Sequence, residues 1–260
     1  MSPPLYSSCH LPHNTTSTLN GHAPVFTPQG SPESKPRSTS GEATGSAPKL
    51  AERAEEIYEN IRGLFAASTS PKSLPRPIQY VLDTAVQQNE NPSTMALVFA
   101  RLAGSFPSIS PTLFNSVLEA HIQQQFFLIW HDTQRSPWPN KQHYLFVAGL
   151  VGALFSAGAI PVRRVHESAR VIVDGRPCGL KLEGLHALIS FAGPGFCTGD
   201  VEARNGAAAF LKGLHATDAS GNKFWAPSES DASWVSAITQ MVNKWMARDQ
   251  AHHAALGKRA

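Results

Sequence analysis

Apolar positions from Lys49 onward recur every three or four residues, the period of an amphipathic helix rather than the alternation of a strand. In KLAERAEEIYENIRGLF the apolar set is Leu50, Ala54, Ile57, Ile61, Leu64 and Phe65, leaving Glu52, Arg53, Glu55, Glu56, Glu59 and Arg62 for water. Ser68 to Pro77 carries three prolines and predicts a connection, because an interior proline removes a helical hydrogen bond. The stripe resumes at Ile78, Val81, Leu82, Ala85 and Val86. Asn91-Pro92-Ser93 and Ser110-Pro111 each set a capping side chain before a first-turn proline. The first opens a helix carrying Met95, Leu97, Val98, Phe99 and Leu102; the second opens one carrying Leu113, Phe114, Val117, Leu118, Ile122, Phe126 and Ile129.

A loop over Arg135 to Asn140 precedes Tyr144 to Phe155, a nearly all-apolar segment that predicts the most buried helix, stopped at Gly158. Its small residues, Ala148, Gly149, Gly152 and Ala153, allow a close helix approach. Pro161 opens the next helix, with Val162, Val165, Ala169 and Ile172 inward and Asp174-Gly175 as the stop. Val171 to Val173 resembles a strand only in isolation, since it continues that helical stripe. Leu180 to Ala192 follows, with Leu182, Leu185, Leu188 and Ile189, ended by Gly193-Pro194-Gly195. Further helices are expected over Val201 to His215 and, capped at Ser230-Asp231, along Trp234, Ile238, Met241 and Trp245; Ala216 to Ser228 reads as a loop. The pattern predicts an all-α fold of about nine helices. Short links point to an α-solenoid of stacked antiparallel helical hairpins of the HEAT type, with a closed bundle as the alternative.

Composition divides the chain. More than half of residues 1–48 are Ser, Thr, Pro or Gly, too little apolar surface to offset the entropy of ordering, so a disordered tail is expected there. Within it, Ser31-Pro32, Ser34 and Ser38 are candidates for a partner motif or phosphorylation. The helical domain is expected over 49–250 and a flexible tail over 251–260. A net charge of +3 permits contact with anionic partners without demanding it, and no dense basic stripe is present. Cys9, Cys178 and Cys197 are too few and scattered for a disulfide framework and include no C-x-x-C pair, which favours a reducing compartment. MSPPLYSSCH has neither a basic region nor a long apolar run, so no secretory signal is expected. The longest apolar stretch, Tyr144 to Ile160, is interrupted by Gly149, Gly152, Ser156 and Gly158, so no membrane span is expected either. A cytoplasmic protein fits these features best, with the nucleus as the alternative.

Candidate chemistry is sparse. His131-Asp132 falls at a helix end, where an imidazole suits the negative pole of the dipole. His166-Glu167 begins like a zinc-protease motif, but Arg170 stands where the second ligand is required, leaving a helix-packing histidine. Neither G-x-S-x-G nor a phosphate-cradling P-loop is present, and GPGFCTG (Gly193 to Gly199) follows a helix rather than a strand, which makes it a turn. No catalytic residue, metal or cofactor is therefore expected. Arg163 and Arg164 occupy a first helical turn, where the dipole disfavours cations. They are either solvated surface or contacts for an external anion, with Arg176 and Lys181 at the same edge. Trp138 and Trp225, in loops near prolines, are either partner anchors or plugs over the core, and Lys258-Arg259 reads as a frayed end.

Four segments in order carry a family likeness: IQYVLDTAVQQNENPSTMALVFARLAG (Ile78 to Gly104), SPTLFNSVLEAHIQQQF (Ser110 to Phe126), LFVAGLVGALFSAGAIPVRRVHESARVIVDG (Leu145 to Gly175) and KLEGLHALISFAG (Lys181 to Gly193). In order and spacing these resemble the middle domain of eukaryotic translation initiation factor 4 gamma and its relatives, a stack of HEAT-type hairpins, across most of Lys49 to Gln250. The chain departs from that family in having only Ser68 to Pro77 where an extra helix usually follows the first. The resemblance implies a non-enzymatic scaffold, a monomer within a larger complex, that binds a DEAD-box RNA helicase of the initiation-factor 4A type. It further implies RNA contact through basic surface in translation initiation or mRNA metabolism. The partner- or RNA-facing candidates are Arg163, Arg164, Arg176, Lys181 and Trp138. A generic helical adaptor with an unrelated protein partner is the alternative, and an enzyme of an unrecognised helical class a third reading.

Overall fold

A computed structural model describes residues 47–66, 70–106, 109–131, 140–174 and 177–257. By its contacts the chain divides into Met1–Ala47 and Pro48–Ala260, and the architecture below is that of the second unit. The expected tail, with Cys9, Ser31, Ser34 and Ser38, lies outside the described residues apart from its last two positions, which already belong to the first helix.

Nine α-helices are found among the described residues: α1 (Ala47–Phe65), α2 (Pro75–Gln87), α3 (Pro92–Ala103), α4 (Pro111–Trp130), α5 (Lys141–Ser156), α6 (Val162–Val173), α7 (Gly179–Ala192), α8 (Val201–Leu214) and α9 (Glu229–Gly257). Extended pairing among them is limited to one isolated antiparallel bridge, Thr217 to Lys223. That bridge closes a tight turn in which the Asp218 carboxylate accepts the backbone N–H of Ser220 and of Asn222. The 216–228 loop is otherwise mostly exposed, but Trp225 is buried as a plug over the core.

Local signals set the helix ends. The Asn91 side chain accepts from the Ser93 N–H at 2.8 Å and the Ser110 hydroxyl from the Leu113 N–H at 3.2 Å, each beside a proline in the first turn. Helix α5 ends in a Schellman arrangement: Gly158, at φ 74°, donates to the Phe155 carbonyl and Ala159 to that of Leu154. Helix α2 ends the same way with Asn89, at φ 53°, in the left-handed position. The cap of α9 differs from expectation. Ser228, not Ser230, accepts the Asp231 N–H, and its hydroxyl bonds the Asp231 carboxylate at 2.6 Å. Nor does α9 stop near Gln250. Its Ala-rich end, AHHAALG, is a good helix former and continues the helix through Gly257.

The packing follows one rule. Each helix from α2 onward touches the helix two places along: α2 with α4, α4 with α6 and α6 with α8 in one layer, and α3 with α5, α5 with α7 and α7 with α9 in the other. Consecutive helices cross between the layers, so each antiparallel hairpin contributes one helix to each. This is the two-layer α-solenoid that the helical pattern predicts. Its core runs through both layers, from Leu74, Ile78 and Phe99 through Leu150, Leu185 and Leu188 to Ile238 and Val242.

The tightest contact lies between α5 and α7. A Cβ on Gly152 would overlap the Leu188 carbonyl oxygen and lie 2.7 Å from the Ala192 nitrogen, so backbone meets backbone there. At Gly149 a Cβ would come within 2.9 Å of the Phe191 ring and 3.0 Å of Pro92, so α3 and α7 both reach over α5 at this point. Helix α5 is accordingly buried on all sides from His143 to Leu154, with only Leu145 half-buried among them. Lower down, the Trp130 indole occupies the space that a side chain at Gly184 would need.

Between neighbours in one layer, polar side chains join the flanks. His121 Nε2 donates to Gln79 Oε1 at 2.8 Å between α4 and α2, and Gln123 bonds Ser168 at 3.3 Å between α4 and α6. Lys141 donates to Glu183 at 2.8 Å between α5 and α7. Helix α1 is attached at the first hairpin by Tyr58, whose hydroxyl shares a 2.9 Å hydrogen bond with Ser105 and whose ring lies 4.6 Å from the Arg101 guanidinium.

The backbone contact at Gly152 generates a paired prediction. Gly152→Ala should lower the free energy of unfolding by about 2 kcal/mol or more, as overpacking against immovable backbone does. Gly63→Ala, where an added Cβ meets nothing within 4 Å, should raise it by about 0.5–1 kcal/mol. Urea denaturation of the two variants beside the parent checks both signs.

Candidate functional site

The cationic edge expected around α6 is only partly as the sequence suggests. Arg164 reaches Glu119 on α4 at 2.5 Å and Glu167 one turn ahead at 2.7 Å, and these two carboxylates raise its pKa further. Its charge is neutralised within the fold, and it bridges two helices. Arg163 is 62% exposed and faces Glu167 at 3.5 Å. The dipole penalty that made these arginines conspicuous is offset by acids of the same domain.

Lys181 corrects the expectation outright. It is 3% exposed, because it stands in register with Leu185, Leu188 and Ala192 on the inward stripe of α7. Arg176 and Trp138 lie outside the described residues, as do Asp132, Lys258 and Arg259. His131 closes α4 with its ring 4.6 Å from that of Phe127. The Gly193 to Gly199 segment is a 3₁₀ turn over Pro194–Phe196 whose entry, Gly193, has φ 67°.

Histidines in this fold pack rather than converge. His166 Nε2 donates to the Phe196 carbonyl at 2.8 Å, its ring stands edge-on to Phe196 at 4.7 Å, and its other side lies on α8 at Gly206, where a Cβ has no room. His186 stands edge-on to Trp234 at 5.2 Å, between α7 and α9. Burial lowers the pKa of His121, His143, His166 and His186 below the ordinary 6.5, so all four favour the neutral form. Burial also pushes the Cys197 thiol up to about 11, where it is a poor nucleophile. Among the described residues no three His, Cys, Asp or Glu side chains are placed to hold a metal ion. No described helix is long and apolar enough to cross a membrane.

Two concave surfaces stand out among the described residues. The larger, about 810 Å³, lies between α6 and α8, with Arg163, Glu167, Arg170 and Asp174 on one rim, Glu202 and Asn205 on the other, and Phe210 below. The α6 charges on its rim are matched within that helix, since Arg170 pairs with Asp174 at 3.1 Å as Arg163 does with Glu167. The smaller, about 270 Å³, lies between α1 and α2, where Ile57, Ile61, Leu64 and Val81 share the lining with Tyr80 and with polar side chains such as Asn60, Thr84 and Gln88. Of the apolar stripe that periodicity gives α1, Ala54 and Phe65 are buried and Ile57 and Ile61 pack half-buried against the core, but Leu64 is exposed while Tyr58, outside that stripe, is buried. The one available signal is that the apolar stripe of α1 is wider once Tyr58 is counted than a single packing partner needs.

Comparison with protein-family models, with curated proteins and with solved structures gives no match.

The neutral histidines determine how the fold responds to acid. Unfolded imidazoles take up protons near pH 6.5, whereas the four folded ones resist until lower pH, so the unfolded state binds more protons in between. Stability present above pH 6.5 is therefore lost as pH falls below it. Urea midpoints should decline from pH 7.5 to pH 5.5; midpoints that stay flat across this window would contradict the burial of neutral rings.

Proposed function

We propose that this chain is a non-enzymatic scaffold domain of the kind found in the middle of translation initiation factor 4 gamma. Its partner would be a DEAD-box RNA helicase of the initiation-factor 4A type, and its setting translation initiation or mRNA metabolism in the cytoplasm, with RNA as an additional contact. The observation that carries the reading is the packing of each helix against the helix two places along. A stack built in this way buries its core between layers and leaves rows of helix faces and hairpin ends for partners.

Side-chain chemistry is in keeping with this role. Arginines at the α6 edge are matched by Glu119, Glu167 and Asp174, and the buried histidines hold rings, amides and carbonyls of neighbouring elements. Large apolar side chains nevertheless reach the surface, among them Tyr80, Leu97, Leu113, Phe127 and Leu128. Exposed apolar groups of this size are the raw material of protein contacts. RNA contact would be electrostatic and would weaken steeply with added salt.

A pull-down with the full chain from an extract of its own cells, followed by titration with the purified helicase, tests the proposal. The expected result is saturable helicase binding, with RNA retention that falls as salt rises. Recovery of other proteins with neither helicase, initiation factor nor RNA would replace this reading with that of a general helical adaptor.

A further inference from the structure

The apolar stripe of α1 is wider than the face that the fold covers. Ala54, Tyr58 and Phe65 are buried, but Ile57 and Ile61 are only half-buried and Leu64 is 45% exposed. Opposite them on α2, Tyr80 is 59% exposed. The groove between these helices has aliphatic walls from Ile57, Ile61, Leu64 and Val81, with Met95 at its base.

Charge distinguishes its two ends. Arg53 on α1 is ion-paired with Glu90 just beyond α2, so α1 runs antiparallel to α2 and that end of the groove is electrically balanced. The other end lies where α1 finishes and α2 begins. Arg76, one helical turn before Tyr80, and Lys72, in the preceding 3₁₀ turn, are exposed there. Neither has a hydrogen-bond or ion-pair partner among the described residues. This differs from the α6 edge, whose arginines face acids of their own domain.

We infer that the α1–α2 groove is a docking site for a short acidic peptide with bulky apolar anchors. The anchors enter between Leu64 and Tyr80, covering the uncovered half of the α1 stripe. Carboxylates beside them reach Lys72 and Arg76, two exposed cations without an ion-pair partner among the described residues. Nucleic acid is the weaker fit, because a single strand is gripped by successive stacking platforms and a cationic track. Here Tyr80 is the one aromatic side chain lining the groove, whose other walls combine aliphatic side chains with Asn60, Thr84, Gln88 and the paired Arg53 and Glu90. The inference rests on the scaffold reading and deepens it by naming the chemistry of one partner.

Selection of short random peptides displayed on phage against the full chain tests it. The best binders are then labelled and titrated by fluorescence polarisation. The selected sequences should combine Leu, Ile, Phe or Trp with flanking Asp and Glu. Their affinity should fall by at least about tenfold for Tyr80→Ala, for Leu64→Asp and for the double variant Lys72→Glu, Arg76→Glu, the apolar anchors and desolvated charges being where binding energy concentrates. All four side chains are exposed, and unchanged helical circular dichroism and melting of the variants separate lost binding from lost folding. Selected peptides without acidic residues, or peptides indifferent to these substitutions, would overturn the inference. So would tight binding of oligouridine abolished by the double charge reversal, which would make the rim a nucleic-acid contact. If helicase binding persists in the variants while acidic peptides never bind, the docking site falls and the scaffold reading stands.

Discussion

At Gly152 the backbones of α5 and α7 meet with no side chain between them, and the rest of the domain is arranged around that contact. Side chains can change rotamer to relieve a misfit, whereas a carbonyl oxygen inside a helix cannot move without breaking the ladder it belongs to. Interiors packed at crystal density leave little slack for such a shift. Gly149 extends the constraint sideways, since Phe191 from α7 and Pro92 at the start of α3 both rest where its side chain would be. Three helices of one layer are thereby held in fixed register. Helices α4 and α6, which contact α5 from the other layer, inherit that register.

From this centre outward the contacts become more polar. Lys141 with Glu183 joins α5 to α7 at the edge of the glycine contact, and Gln123, Ser168, Arg164 and Glu119 join α4 to α6. Surface pairs of this kind contribute little to stability individually, but they use up charge that would otherwise be offered to solvent or to a ligand. The α6 edge is saturated in this sense. At the opposite end of the chain, α1 is tied to α3 and its following loop mainly through Tyr58 and Phe65, and its second apolar face is left open. The difference between a closed edge and an open one, rather than any concentration of reactive groups, is what gives the domain distinguishable surfaces.

Much of the fold was legible in the sequence. Proline beside an Asn or Ser cap fixed the starts of α3 and α4, Gly158 fixed the end of α5, and the small residues of α5 announced a close neighbour. Less legible was which side of a stripe faces inward. Leu97 and Leu113 extend apolar stripes yet are 42% and 41% exposed, and Leu64 is exposed while Tyr58 is buried with its hydroxyl bonded to Ser105. Periodicity defines a stripe but not its centre, and the centre depends on which helices lie opposite. Lys181 was misjudged for the same reason: its charge suggested exposure, while its register with Leu185 and Leu188 placed it inside. The proposed docking groove left only a faint trace, because an unmatched cation is recognised by the absence of a partner in space.

Hydrogen exchange of the native domain, followed residue by residue, tests most directly whether the α5–α7 contact is its organising centre. Amides of α5 and α7 should exchange last, with opening free energies equal to that of global unfolding, while α1 and the end of α9 beyond Gln250 open early. If α5 exchanges as readily as α1, the structure is held together elsewhere and the account given for its architecture is wrong.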